Sequence, residues 1–185
     1  MASGKVHDQW VVWVSCGLIG VAATQAFGQL IQSKTIPSVA LQTGSIAFGC
    51  LLGGLWLSPD LDLPVSNVSR RWGFLSVLWI PYEVLFKHRS FWSHGILIGA
   101  TIRFIYVLTL IILGLATIDA VLLKQPILAN GLVEYFITTI TSHTDLFWCF
   151  FIGLNVADII HIFLDHTVKN RSDSDAVSRG IDKGD

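Results

Sequence analysis

Histidine and aspartate residues recur near the ends of the long apolar segments of this chain. They are His7, Asp60, Asp62, His88, His94, His161 and Asp165. Imidazole nitrogens and carboxylate oxygens are the ligands from which proteins build sites for divalent metal ions. Because the ligands of a common ion must lie within a few ångströms of each other, these segments must meet in space. The pattern predicts a site for one or two divalent ions, with zinc, manganese and iron as candidates.

The segment 58–94 is the main polar connection of the chain and holds four of these seven residues. It begins with the sequence Ser-Pro-Asp-Leu-Asp-Leu-Pro. Proline lacks an N–H group and restricts the residue before it, so this sequence favours a helix end. Asp60 and Asp62 are then expected to have carboxylates free to converge on an ion.

The last apolar segment carries Asp158, His161 and Asp165 at helical spacing. Residues three and four positions apart lie on one side of a helix, so the three side chains share a stripe. A histidine that binds a metal usually donates its other N–H group to a carboxylate. We therefore expect Asp158 to orient His161, and Asp8 to orient its neighbour His7.

Two arginines are candidates for stabilising the site or binding an anion there. Arg89 lies between the two histidines of the central segment, whereas Arg103 interrupts an apolar segment. Arg103 and Asp158 lie at similar depth in neighbouring segments. Because either charge alone is costly in lipid, we predict that they pair. Arg103 could alternatively bind an anionic group at the site.

The composition is too apolar for an ordinary soluble domain, since 52% of the residues are hydrophobic and 14% are charged. A membrane-spanning helix needs about 20 apolar residues. Four segments approach or exceed that length: 10–31, 36–57, 95–118 and 146–164. The sequence predicts an all-α, polytopic membrane bundle over residues 1–168. The polar tail, 169–185, is expected to be disordered because it has little apolar surface to bury.

Three segments allow more than one interpretation. The first apolar segment could be a cleaved signal peptide, but it is longer than such peptides need. Residues 126–142 are apolar but contain Glu134 and an Asn-Gly pair, so a re-entrant or surface-lying helix is expected. Residues 72–86 are expected to form an amphipathic interfacial helix, with Trp79 and Tyr82 at the headgroup level.

The distribution of basic residues predicts the orientation in the membrane. Nine Lys and Arg residues lie on the side of the termini and the central segment, and two lie on the other side. Cytoplasmic loops carry the excess of positive charge, so both termini are expected to be cytoplasmic. An inner (plasma) or thylakoid membrane is expected. The net charge of −1 gives no basic field for nucleic acid. The expected partners are membrane lipid and a divalent metal, and a membrane-protein partner is left open.

Several motifs resemble a family of metal-binding membrane proteins common in cyanobacteria. They are Gly4-Lys5-Val6-His7-Asp8, Leu57-Ser58-Pro59-Asp60-Leu61-Asp62-Leu63, Arg71-Trp72-Gly73, Leu78-Trp79-Ile80-Pro81-Tyr82 and His88-Arg89-Ser90-Phe91-Trp92-Ser93-His94. More distantly, the chain is similar to the LexA-binding, inner-membrane-associated metal-dependent hydrolases. That similarity rests on His7, Pro59-Asp60-Leu61-Asp62, His88-Arg89 with Ser93-His94 at one residue wider spacing, and His161 with Asp165. It implies a metal site at these residues.

Two functions remain open from the sequence. The first is a metal-dependent hydrolase that acts at the cytoplasmic membrane surface on a phosphoester or lipid headgroup. The second is a non-catalytic metalloprotein that serves as a structural or assembly factor for membrane complexes. Metal transport would need acidic groups through the depth of the membrane, and the far side offers little beyond Glu134. An open coordination position favours the enzyme, and a closed site favours the structural role.

Overall fold

A computed structural model describes residues 4–31, 38–63, 65–86 and 95–178 of the chain, and these form helices and connections without any β-strand. The α-helices, in chain order, are α1 (Gly4–Ile31), α2 (Ser38–Leu55), α3 (Asn67–Trp72), α4 (Ile80–Leu85), α5 (Ile98–Ile118), α6 (Ile127–Ser142) and α7 (Thr144–Ser178). Short 3₁₀-helices cover Pro59–Asp62 and Gly73–Trp79, and a π-helical turn, Asp119–Leu123, extends α5. The predicted all-α bundle is confirmed.

Four of these helices are long and apolar enough to cross a membrane. The candidate spans are Lys5–Gly28, Val39–Asp62, Ile98–Leu123 and Thr144–Val168. The protein thus has the span pattern of a multi-pass membrane protein, in agreement with the sequence. Residue 36 and the ends of the polar tail, 179–185, lie outside the described residues.

The helices α2 and α7 pack with their backbones almost in contact. A Cβ atom on Gly49 would lie 2.1 Å from the carbonyl oxygen of Phe150. A Cβ atom on Gly153 would lie 2.1 Å from the carbonyl oxygen of Ile46. Small residues permit such close approach between membrane helices. The contacts advance together along both helices, from Gly49 against Phe150 to Gly53 against Leu154, so the two C-terminal ends point in one direction. The start of α1 lies beside this end, where His7 stacks on His161.

The helix α6 folds back along α5. The buried carboxylate of Asp119 accepts hydrogen bonds from the backbone N–H groups of Leu128 and Ala129, at 3.0 and 2.8 Å. These bonds satisfy two of the N–H groups that have no partner within α6. Further along, the rings of Phe104 and Phe136 lie 6.1 Å apart. The segment that the sequence left ambiguous is thus a helix packed against the third candidate span.

The predicted interfacial helix, 72–86, is not one continuous α-helix. It consists of the end of α3, a 3₁₀-helix and α4. Gly73 ends α3 with a φ of +57°, a conformation that favours glycine. Trp79 and Tyr82 are fully buried and pack against Tyr106 of α5, so their rings contact other parts of the protein. Their expected position at the headgroup level stays a prediction. The exposed large apolar side chains here are Phe74, Leu75, Val77, Leu78, Ile80, Val84 and Leu85.

The helix α7 continues through Ser178, beyond the expected start of the tail at Lys169. Its backbone is helical over residues where the sequence predicted disorder. The disorder expected for the tail, 169–185, stays a prediction.

Candidate metal centre

Three helices bring four of the predicted ligands together. His7 lies in the first turns of α1, and Asp60 lies in the 3₁₀-helix that follows α2. His161 and Asp165 lie one turn apart on α7. Because α1 begins where α2 and the packed part of α7 end, these side chains meet at one end of the bundle. We call His7, Asp60, His161 and Asp165 the four-residue cluster.

The donor atoms of the four-residue cluster lie close to one another but not in bonding contact. His161 Nε2 lies 3.4 Å from Asp60 Oδ1 and 4.0 Å from Asp165 Oδ2. His7 Nε2 lies 3.4 Å from the other oxygen of Asp165, Oδ1. The two imidazole rings stack with their centres 4.1 Å apart and their planes inclined by 22°. Both Nε2 atoms thus face the same carboxylate.

The two 3.4 Å distances fit a metal centre. Two ligand atoms bound to one ion at about 2.1 Å, with a tetrahedral angle between them, lie about 3.4 Å apart. The chemistry also fits, because imidazole and carboxylate together bind zinc, manganese and iron. In the described part of the chain, however, no three His, Cys, Asp or Glu side chains form a complete ligand group around one point.

Of the three remaining predicted ligands, Asp62 lies in the described part of the chain and the two histidines do not. Asp62 is buried two residues after Asp60, on the side of Tyr82 and Glu83. Burial and the charge of Asp62 raise the pKa of the Glu83 carboxyl. His88, Arg89 and His94 lie outside the described residues, so their predicted roles stay predictions.

Arg103 and Asp158 form the buried pair that the sequence predicted. Arg103 donates a hydrogen bond from Nη2 to Asp158 Oδ2 at 2.5 Å, and both side chains are almost fully inaccessible. Tyr82 lies beside Arg103. Burial raises the pKa of the Tyr82 phenol, and the Arg103 charge opposes that shift. The phenol is therefore neutral at physiological pH. Whether Arg103 also binds an anion stays a prediction.

Asp8 and Asp158 have neighbours other than the histidines that they were expected to orient. Asp8 pairs with Arg71, which also donates a hydrogen bond to the carbonyl of Leu55 at 2.7 Å. Asp158 pairs with Arg103. The atom beside His161 Nδ1 is instead Ser58 Oγ, at 3.4 Å.

Sequence reasoning did not assign roles to Ser58, Arg71 or Glu83. Ser58 directly precedes the Pro-Asp-Leu-Asp motif, and that position was a usable signal. The contact between Arg71 and Asp8 joins residues 63 positions apart, and no local pattern indicates it. Glu83 is recognisable only once α4 is placed beside Asp62.

Comparisons with known proteins agree with the metal-binding interpretation. The family model described as "Uncharacterized metal-binding protein (DUF2227)" matches residues 2–174. An "Uncharacterized protein" from Aquifex aeolicus (strain VF5) is 35% identical over 121 residues, covering 63% of this chain and 84% of that protein.

No solved structure matches the chain. The cyanobacterial distribution and the link to the LexA-binding hydrolases stay predictions. The match nonetheless covers almost the whole chain, including every residue of the four-residue cluster. The chain therefore belongs to the family of uncharacterized metal-binding proteins designated DUF2227.

Proposed function

We propose that this protein is a metal-dependent hydrolase of the membrane surface that acts on a phosphoester or lipid headgroup. The supporting observation is a gradient of exposure across the four-residue cluster. The side chains of His7 and His161 are 7% and 4% exposed, whereas those of Asp165 and Asp60 are 15% and 17% exposed. The imidazoles anchor the site inside the bundle, and the carboxylates lie at its opening.

Such an arrangement suits a catalytic site better than a closed structural one. A structural site surrounds its ion with protein ligands, and a catalytic site keeps one position open. A divalent ion bound here would supply an activated water and positive charge for a phosphoester displacement. Arg70, an exposed residue in the last turn of α3, adds positive charge near this end of the bundle. That charge would attract an anionic headgroup.

The proposed location is the cytoplasmic face of an inner (plasma) or thylakoid membrane. It rests on the excess of Lys and Arg on the side of the four-residue cluster. Reporter fusions at Lys34 and after Asp185 are expected to report opposite sides of the membrane. The same side at both positions would contradict the span count.

A second candidate function is a non-catalytic centre that joins helix ends in a structural or assembly factor. The observation that favours it is the set of contacts made by His161. This residue stacks on His7 of α1 and approaches Ser58 and Asp60 after α2. A bound ion would then act as a cross-link between three parts of the bundle.

One experiment separates the two functions. Protein purified in detergent is loaded with Zn²⁺, Mn²⁺ or Fe²⁺ and assayed against phosphomonoesters, phosphodiesters and phospholipids in mixed micelles. The hydrolase proposal predicts turnover that is lost in Asp60→Ala and retained in His143→Ala, which alters an exposed histidine between α6 and α7. Stoichiometric metal without turnover on any substrate would favour the structural function.

A further inference from the structure

We propose that the four-residue cluster binds two metal ions, one on His7 and one on His161, with Asp165 as the carboxylate that bridges them. This inference rests on the proposed function only in requiring that the cluster binds metal. It specifies how many ions the cluster binds and which side chain joins them.

The stacking of the histidines argues against one shared ion. The lone pair of Nε2 lies in the plane of its ring, so an ion must lie close to that plane. Planes inclined by 22° with ring centres 4.1 Å apart meet about 10 Å away, whereas a metal ion lies about 2.0–2.1 Å from its nitrogen. An ion placed in one ring plane is thus well outside the other.

The position of Asp165 supplies the bridge. Its Oδ1 atom faces His7 Nε2 at 3.4 Å, and its Oδ2 atom faces His161 Nε2 at 4.0 Å. Each oxygen is therefore placed to share an ion with a different histidine. Asp60 Oδ1 lies 3.4 Å from His161 Nε2, and it adds a ligand to the His161 side only.

The spacing of the rings agrees with that of two-metal sites. The ring centres are 4.1 Å apart, and both Nε2 atoms lie within 4.0 Å of the Asp165 carboxylate, so ions bound at these two nitrogens would lie a few ångströms apart. In two-metal hydrolases the ions lie about 3.5–4 Å apart, which allows them to contact both oxygens of a displacement. Among the proposed substrates, two ions at this spacing favour phosphoesters.

The wild-type protein tests the inference directly. It is stripped with chelator in detergent, loaded with Mn²⁺, freed of excess metal and measured for manganese content and low-temperature electron paramagnetic resonance. The expected result is about two Mn²⁺ per chain with a spin-coupled spectrum. One ion per chain, two uncoupled ions or no bound ion would overturn the inference.

Two variants distinguish separate ions from a shared ion. His7→Ala is expected to reduce the content from about two ions to about one and to abolish the coupling. The remaining ion should keep its affinity within a few-fold, because Asp60 and His161 still hold it. Loss of all bound manganese in His7→Ala would indicate one shared ion and overturn the inference. His143→Ala is the matched control and should retain both ions.

The outcome is separable from that of the hydrolase proposal. Two coupled ions in a protein that hydrolyses nothing would support this inference and contradict the hydrolase. One ion in an active hydrolase would do the reverse. Because metal content and coupling are measured on the wild-type chain, a variant that fails to fold does not prevent a decision.

Discussion

Two polar regions lie near the same end of the bundle. They differ in how closely their polar atoms approach each other and in how exposed their side chains are. In the four-residue cluster, imidazole nitrogens and carboxylate oxygens lie 3.4–4.0 Å apart, and the two carboxylates are partly exposed. In the second region, Arg103 and Asp158 are in direct contact at 2.5 Å, and neither is accessible. Both regions include residues of α7, and Asp158 and His161 lie within one turn of each other. The two regions therefore differ in the side chains that they combine and not in their position along the helix.

This comparison distinguishes a site for a ligand from an internal ion pair. Buried polar groups are expensive unless they are paired, and the Arg103–Asp158 contact satisfies that requirement within the protein. The four-residue cluster presents imidazoles and carboxylates at spacings suited to an ion between them. We therefore propose the first region as the ligand-binding site, whereas the second region holds α5 against α7.

Replacing a cluster carboxylate has the largest expected effect on metal binding. Asp60→Ala removes the oxygen that lies 3.4 Å from His161 Nε2. We expect the affinity for divalent metal to fall by one to two orders of magnitude. Isothermal titration calorimetry in detergent measures this, and His161→Ala should behave in the same way.

The same experiment includes thermal unfolding with and without chelator. Metal that binds only the folded state raises its stability, so chelator should lower the melting temperature of the wild type. It should change that of Asp60→Ala much less. Equal chelator sensitivity in both proteins would show that the metal binds elsewhere.

Breaking the buried pair has the largest expected effect on stability. Arg103→Ala leaves the Asp158 carboxylate buried without its partner, and such changes cost about 3–5 kcal/mol. Thermal unfolding of the chelator-treated protein measures the loss without a contribution from metal. The double variant Arg103→Leu with Asp158→Leu should recover much of it, because no charge is then left unpaired. An unchanged melting temperature for Arg103→Ala would show that the pair contributes nothing to the fold.

Long-range features of both regions could be predicted from the sequence because they follow from helix periodicity and membrane depth. Arg103 and Asp158 each interrupt an apolar span at matched depth, which predicted their contact. His161 and Asp60 are 101 positions apart, and their approach followed from placing the span ends on one side. The four-span count depended only on the length of the apolar segments.

Other contacts depend on how distant segments pack together, and no local sequence pattern indicates them. Trp79 and Tyr82 are residue types that are common at membrane interfaces, yet both are buried and pack against Tyr106 of α5. Asp8 is adjacent to His7 in sequence, yet Arg71 of α3 is its partner. Both differences arise where the central segment folds over the bundle. That segment has short helices, whose placement is determined by tertiary contacts and not by their own periodicity.

A smaller effect is expected at Tyr82, which lies against the Arg103 region. Tyr82→Phe removes a buried hydroxyl that makes no hydrogen bond among the described residues, so the change should cost about 1 kcal/mol or less at neutral pH. Because burial raises the pKa of Tyr82, the unfolded chain releases its phenolic proton first, near pH 10. Above that pH the folded state holds more protons, so the stability falls as the pH rises.

Tyr82→Phe should lack this alkaline loss, which melting curves between about pH 8 and pH 11 would reveal. Tyr135→Phe, at an exposed position on α6, is the control and should melt like the wild type. An identical alkaline decline in Tyr82→Phe would assign the loss to other groups.

The smallest effect is expected at the partly exposed pair of Asp8 and Arg71, which lies beside the four-residue cluster but outside it. Asp8→Asn keeps the shape of the side chain and removes its charge. Pairs that solvent reaches contribute about 1 kcal/mol or less, and salt screens them, so the loss should shrink at high ionic strength. The metal affinity should stay within a few-fold of the wild type, because Asp8 contacts Arg71 and not His7. A tenfold or greater loss of affinity in Asp8→Asn would instead show that Asp8 orients His7, as the sequence predicted. Asp8 and its partner Arg71 would then belong to the metal centre. An ion pair within the protein could in that case also support metal binding, contrary to the distinction drawn above.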